Sequence, residues 1–486
     1  MIKDRMRART ARRQGGGSRA RKVPLPLPLA GVYTKARAAQ VQNLYAAELL
    51  NLRSNGVSLV TRPGITWSGA ASSILRRIPF EFGGASRYIE ITATGATSGT
   101  HSLTRTFAVG ATWATNSGFV LIADGNGLPV RYGADGFTTA TFTAAEGPDP
   151  AECDGILSHH DRIYLWKTGG DLEFLVGDVG AVQGPMSRFN LGTLGNITGS
   201  IKCAVSLTLD AGHGMNDVLC IITTTGQMVI YEGLDPTDEQ DWRLTARIEG
   251  AAPVGPRAFC QIGADAWMLT AQGPVSIGQA VRESVLALVS DLARPVADDI
   301  AAAVEEGAAE WQMFMARDGS MVVINRYSGG TARQFIYYMD SKAWATADYP
   351  ARDWHNLGGR PQITGTDGRL GAMARNGSTE AITARWTSSW FSAGSSASVT
   401  WIEPVIRAAG PMTVRAVVLS DNNDTVFDIA EAEQTMTLEP EEGDATGTIT
   451  LQDIIPTDAS GDRFQITLEV TAAWVEIIGM SAGIAS

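Results

Sequence analysis

The chain is poor in the residues that most often do chemistry. It has 4 cysteines and 5 histidines in 486 residues. Cys153, Cys203, Cys220 and Cys260 are far apart, form no CxxC, and sit among apolar neighbours. That spacing excludes a zinc ribbon or a redox dithiol and reads as free thiols packed like small hydrophobes. No apolar run reaches 18 residues, so no membrane-spanning helix is expected. The basic N-terminus has no apolar core behind it: VPLPLPL is short and proline-broken, unlike a secretory leader. GxxxxGK[ST], GxSxG, HExxH and an EF-hand loop are all missing.

Glycine is abundant, at 53 residues, with no G-x-y period. Surplus glycine without helical periodicity implies many tight turns between strands. Alternating segments fold about glycine turns in FVLIADGNGLPVRY (119–132), DRIYLWKTGGDLEFLVGDV (161–179), VLCIITTTGQMVIYEG (218–233), AWMLTAQGPVSIG (266–278), WQMFMARDGSMVVINRY (311–327) and PQITGTDGRLGAMAR (361–375). Such turns recur every 40–50 residues or so, the spacing of β-propeller blades. FIYYMDSKAWATADYP (335–350) reads as strand, polar turn Asp340-Ser341-Lys342 and return strand, with Trp344 filling space between blades.

Residues 280–310 are helical by apolar spacing and alanine content. Pro295 splits them, which predicts a two-helix insertion projecting from one face of the ring. AAQVQNLYAAELLNL (38–52) is a candidate short helix. From Trp386 onward, alternating strands without helices predict a separate β-sandwich. The expected architecture is all-β: an extended basic arm (1–30), an entry segment (31–70), a β-propeller (71–385) with a helical insertion at 280–310, and a C-terminal β-sandwich (386–486).

Charge is unevenly spread. Residues 1–22 carry nine basic side chains and one acidic one, whereas 386–486 carry fifteen acids and three arginines. The arm residues Arg5, Arg7, Arg9, Arg12, Arg13, Arg19, Arg21 and Lys22 are the candidate contact residues. They suit nucleic-acid phosphates, an acidic protein partner, or a solvated tail. No aromatic residue interleaves them, which argues against base stacking.

Catalytic constellations are weak. His159 and His160 are neighbours on a strand and point to opposite faces. Asp210, His213 and Asp217 share a glycine-rich loop that reads as a connection more readily than a cation site. The pairs Asp298-Asp299, Glu305-Glu306 and Glu441-Glu442 are sequence neighbours, which on a helix face different directions and make poor acid/base partners; nothing selects the two facing carboxylates a glycosidase needs. No catalytic, metal or cofactor site is assigned, and the chain is expected not to be an enzyme.

Four stretches resemble the β-propeller tail-nozzle, or tail-hub, proteins of short-tailed bacteriophages, related in role to packaged-DNA stabilisation proteins. They are QNLYAAELLNLRSNGVSLVTRPGITW, DRIYLWKTGGDLEFLVGDVGAVQGPMSRFNLG, SLTLDAGHGMNDVLCIITTTGQMVIYEGLDPTDEQDWRL and YYMDSKAWATADY. The likeness spans about residues 40–375; the arginine-rich arm departs from it. It implies a structural virion protein assembled in the host cytoplasm. Six copies would ring the DNA path below portal and adaptor proteins, beside tail fibres or spikes. They would retain the genome and permit its ejection without reading its sequence. An acidic channel wall would let DNA slide. A glycan- or receptor-binding propeller of a tail is the alternative, and it needs facing carboxylates and clustered aromatics at a pocket. A cellular interaction scaffold with a nucleic-acid-binding arm is a third reading.

Overall fold

A computed structural model describes residues 20–33, 44–108, 110–210, 215–238, 240–283, 290–374, 380–421, 429–438 and 448–485. The chain is a β-propeller joined to a second β unit built from both ends of the sequence. Six blades are separate sheets of three to five strands, within 74–104, 112–139, 142–190, 201–248, 259–276, and 351–374 with 64–68. A seventh four-stranded meander, within 310–347, packs between the 259–276 and 351–374 blades while also forming one end of a 15-stranded sheet.

The ring closes at its outer edge. Gly64–Ser68 pairs antiparallel with Leu370–Ala374, with Gly64 opposite Ala374 and Ser68 opposite Leu370. An early strand thus completes the last blade, and the inner strand of that blade, Ala351–Leu357, contacts Ile74–Phe82 of the first. Each of the six glycine turns read from sequence joins two neighbouring strands. At Gly226 (φ +90) a Cβ would lie 2.3 Å from the Gly250 carbonyl oxygen, so the turn admits only glycine without a shift. The first blade was not among the hairpins read from sequence, although it too turns on glycine, at Gly83-Gly84 between its first two strands and at Gly99 between its last two.

Trp344 does fill an inter-blade space. It is 2 % exposed, lies opposite Tyr337, and packs with Ala258, Leu269, Val296 and Ile300. Its indole N–H donates to the Leu292 carbonyl at 2.8 Å. Helices α1 (Ile277–Glu283) and α2 (Ala297–Glu305) occupy the insertion. α2 buries Ile300 in one cluster with Leu269, Val322 and Trp344, while Asp298, Asp299, Ala302 and Glu305 on its other side are exposed. The 259–276 blade has three strands, and α2 rests on its last one.

The second unit takes in 382–485 and part of the entry segment. Met412, Val414, Ala416 and Val418 alternate inward, as do Phe464, Ile466, Leu468 and Val470. The long strands Phe391–Ala409 and Ile455–Ala472 pair with each other over one half and take different partners over the other. Opposing strand layers thereby share a single apolar core. The candidate helix at 38–52 is a correction over its described part: Ala46–Leu50 and Leu52–Ser54 are strands, and residues 38–43 lie outside the described residues. Ala46–Leu50 pairs with Ile382–Ser388 on one side and touches Ala343–Ala347 on the other. Two flanking strands outweigh the helix preference of Ala, Glu and Leu. Arg21–Leu25 pairs with Met480–Ile484, so the end of the arm is ordered, not free.

Candidate functional site

The densest group of charged side chains lies where the inner strands of several blades begin. Ile74–Phe82 supplies Arg76, Thr112–Asn116 supplies Trp113, Glu310–Met315 supplies Glu310, and Ala351–Leu357 supplies Arg352, Asp353 and His355. Arg257 enters from the loop before Phe259–Ile262. Inner strands converge on a propeller axis, so residues more than 250 positions apart meet there.

Arg257 donates to Asp353 at 2.5 Å, and Arg352 to Glu310 at 2.9 Å. Arg76 lies 3.9 Å from Asp353 and 3.8 Å from Glu310, and donates to the Ala111 carbonyl at 2.8 Å. Arg76 and Arg257 both lie over the Trp113 ring, at 5.7 and 5.9 Å. Asp353 is 2 % exposed and Arg76 8 %. Burial alone would raise the Asp353 carboxyl, but Arg257, His355 and Arg76 outweigh it and hold it well below the usual carboxylate range. Burial and then Arg257 pull Arg76 down to about 9, against Asp353 and Glu310. All these ion pairs are formed at neutral pH. Asp353 Oδ2 and both His355 ring nitrogens have no hydrogen-bond partner, and 3.8 Å separates Nδ1 from Oδ2.

The cluster thus holds two carboxylates, Glu310 and Asp353, bridged by Arg76, with the Trp113 ring beside them. The cavity beside Arg76, Glu310 and Arg352 holds about 30 Å³, walled by Leu75, Ile91 and Phe107. A water or two fits there. Small-molecule sites run to roughly 300–1,000 Å³. The cluster is built to hold blades together. Sequence reading missed it because its members are scattered. The only signal was Arg76-Arg77 inside the otherwise apolar ILRRIPF and Asp353 inside ARDWHNL.

Of the arm residues, Arg21 and Lys22 are exposed, and Lys22 pairs with Glu403. Arg5, Arg7, Arg9, Arg12, Arg13 and Arg19 lie outside the described residues. His159 is buried with Nδ1 2.8 Å from Ser206 Oγ. Its ring centre is 4.2 Å from that of His160, so the two do not point to opposite faces: the strand Gly155–His159 ends before His160, which sits in the turn with φ at +47. Asp217 accepts from Thr208 Oγ1 at 2.6 Å, and His213 lies outside the described residues. Burial pushes the Cys153, Cys220 and Cys260 thiols up to about 12 and Cys203 higher, so none is a thiolate near neutral pH. Among the described residues no group of three or more His, Cys, Asp and Glu side chains could hold a metal ion, and no helix is long and apolar enough to cross a membrane.

No protein-family model matches the chain, and no curated protein does. Solved structures similar to it include the extracellular domain of a one-component system, BT4673, from B. thetaiotaomicron. That pair shares 8% identity over 87% of this chain and 62% of that one, with a TM-score of 0.41. The chain therefore spans less than two thirds of that structure's length. The WD40 β-propeller domain of Doa1 shares 7% identity over 74% of this chain and 98% of that one, with a TM-score of 0.35. An exported protein of Bacteroides fragilis shares 10% over 66% and 86%, with a TM-score of 0.32. At such scores the propeller assignment rests on this chain's own strand pairing.

Proposed function

We propose that the chain is a structural component of a phage tail, of the nozzle or hub type, and acts by assembly rather than catalysis. Six copies would surround the DNA path below the portal and adaptor, retain the genome and open for its ejection. The observation that carries this reading is the union of propeller and second unit through one sheet, with ion pairs joining the inner strands of several blades. A block of blades tied to a second unit by continuous strand pairing suits load-bearing. The resemblance of the four sequence stretches supplies the tail role. Acidic side chains would line the channel between copies, and the arm would meet a neighbour, an adaptor or DNA.

The test is the mass of the purified protein, alone and with its portal and adaptor, followed by electron-microscope class averages. A sixfold ring with a central hole, alone or on the adaptor, is the expected outcome. A persistent monomer that ignores those partners and binds glycans would overturn the proposal in favour of a receptor-binding propeller.

A further inference from the structure

Four neighbouring strands of the second unit, Leu59–Thr61, Trp474–Ala485, Phe391–Ala409 and Thr448–Gln452, turn one face to the core and the other to solvent. Along Phe391–Ala409 the alternation is clear: Pro404, Ile406 and Ala408 are buried, whereas Val405 is half-buried and Arg407 exposed. Seven large apolar side chains are exposed among the described residues, and three of them fall on one row across the outer face. Val57, 79 % exposed, lies in the turn just before Leu59, which pairs with Ile477. Ile478, 38 % exposed, is the extra residue of a bulge, since Ile477 lies opposite Ile406 and Gly479 opposite Val405. On its other side Val405 lies opposite Gln452, two residues before Ile454, which is 50 % exposed. The row spans three strand spacings, about 14 Å.

Exposed apolar residues scattered singly carry no message, but an apolar strip inside a polar rim has the anatomy of an interaction site. The rim narrows the partner. The chain has a net charge of −12, so copies repel one another over most of their surface. Beside the strip the charges cancel: Lys22 pairs with Glu403, and Arg407 with Glu476 at 3.7 Å. A basic partner finds little net charge to hold there. Arg407, opposite Thr450, and Asp453, three positions beyond Thr450, are both exposed and opposite in sign. An apolar centre with one exposed charge of each sign complements itself: across a two-fold axis, Arg407 of one copy meets Asp453 of the other.

We infer that this strip, centred on Val57, Ile478, Val405 and Ile454, is an isologous contact with a second copy of this chain, with Arg407 and Asp453 pairing across the axis. A two-fold contact cannot by itself close a sixfold ring. It goes beyond the tail reading and stands or falls apart from it.

The test is sedimentation equilibrium of the full-length chain over a range of concentrations, with a melting curve of each variant to check folding. The wild type should pair reversibly, as single chains or as rings. Val57→Asp and Ile454→Asp should each weaken pairing at least about tenfold. Val179→Asp, at an exposed apolar position on the propeller, should leave it unchanged. Arg407→Glu or Asp453→Arg alone should weaken it severalfold, and the two together should restore it. A wild type that stays unpaired at about 100 μM would overturn the inference. So would folded strip variants that pair like the wild type, or a charge swap that restores nothing. A sixfold ring that pairs no differently in the strip variants would overturn it and leave the tail reading intact; a strip-dependent dimer without any ring would do the reverse.

Discussion

His159 shows how burial dominates a charge state. Burial, then His160, pulls its imidazole down to about 4 from 6.5, opposed by Asp217. Between those values the unfolded chain binds a proton that the folded one refuses. Stability therefore rises with pH across that window and is lost as pH falls from about 6.5 towards 4. The loss is at most about 3 kcal/mol. Thermal unfolding between pH 4 and 7 should show the slope, and His159→Gln should flatten it. An unchanged slope in the variant would mean that other groups cause it. The axial cluster makes the opposite kind of case, since its charges stay on. Arg76→Gln removes a cation lying 3.8–3.9 Å from both Glu310 and Asp353. Breaking a buried pair from one side costs about 3–5 kcal/mol. Chemical denaturation should register that cost; a loss under about 1 kcal/mol would mean that water already screens the cluster.

At the scale of strands, the blades depend on tryptophans that lie flat across a glycine of the neighbouring strand. Gly155 sits opposite Trp166, and a Cβ there would come within 1.9 Å of the ring. Gly483 and Trp401 repeat the arrangement in the second unit, at 2.1 Å. Gly155→Ala should destabilise by about 1–3 kcal/mol through overpacking, measurable as a lower denaturation midpoint. Gly263→Ala, with nothing within 4 Å of its Cβ but φ at +60, gives the comparison in which only backbone strain acts. The glycine turns made most blades legible in sequence because a left-handed turn restricts residue choice locally. The first blade was just as legible, with Gly83-Gly84 and Gly99 at its turns; only its middle turn, Ala93-Thr94, lacks glycine. Ala46–Leu50 was misread because its partner strands lie some 300 residues away, and no local pattern records them. The axial cluster was illegible for the same reason: Arg76, Arg257, Glu310 and Asp353 become neighbours only once the ring closes.

Across the whole molecule, one residue sits where the ring meets the second unit. Asn51 is 1 % exposed, with φ at +57, between the strands Ala46–Leu50 and Leu52–Ser54. Its amide donates to Asp348 at 2.7 Å in the linker after the 310–347 meander, and to the Thr383 carbonyl at 2.8 Å in the second unit. Its Oδ1 accepts from Arg62 Nε at 2.7 Å, and the Arg62 guanidinium lies 3.8 Å from the centre of the Tyr349 ring. The backbone N–H of Asn51 donates to Thr346 at 2.8 Å. Asparagine tolerates the left-handed conformation better than other side-chain-bearing residues. Asn51→Ala would lose four side-chain hydrogen bonds, one of them from the Asp348 backbone N–H at 3.3 Å, leave Arg62 with one partner fewer, and keep an unfavourable φ. A cost of about 2–4 kcal/mol follows. The more telling consequence is cooperativity. With the sheet running unbroken from meander to second unit, calorimetry of the native chain should show a single transition with matching calorimetric and van't Hoff enthalpies. Weakening the junction at Asn51 should uncouple the two bodies, so that the variant melts in two steps. A wild-type chain that already melts in two steps would mean that the continuous sheet does not transmit stability between them.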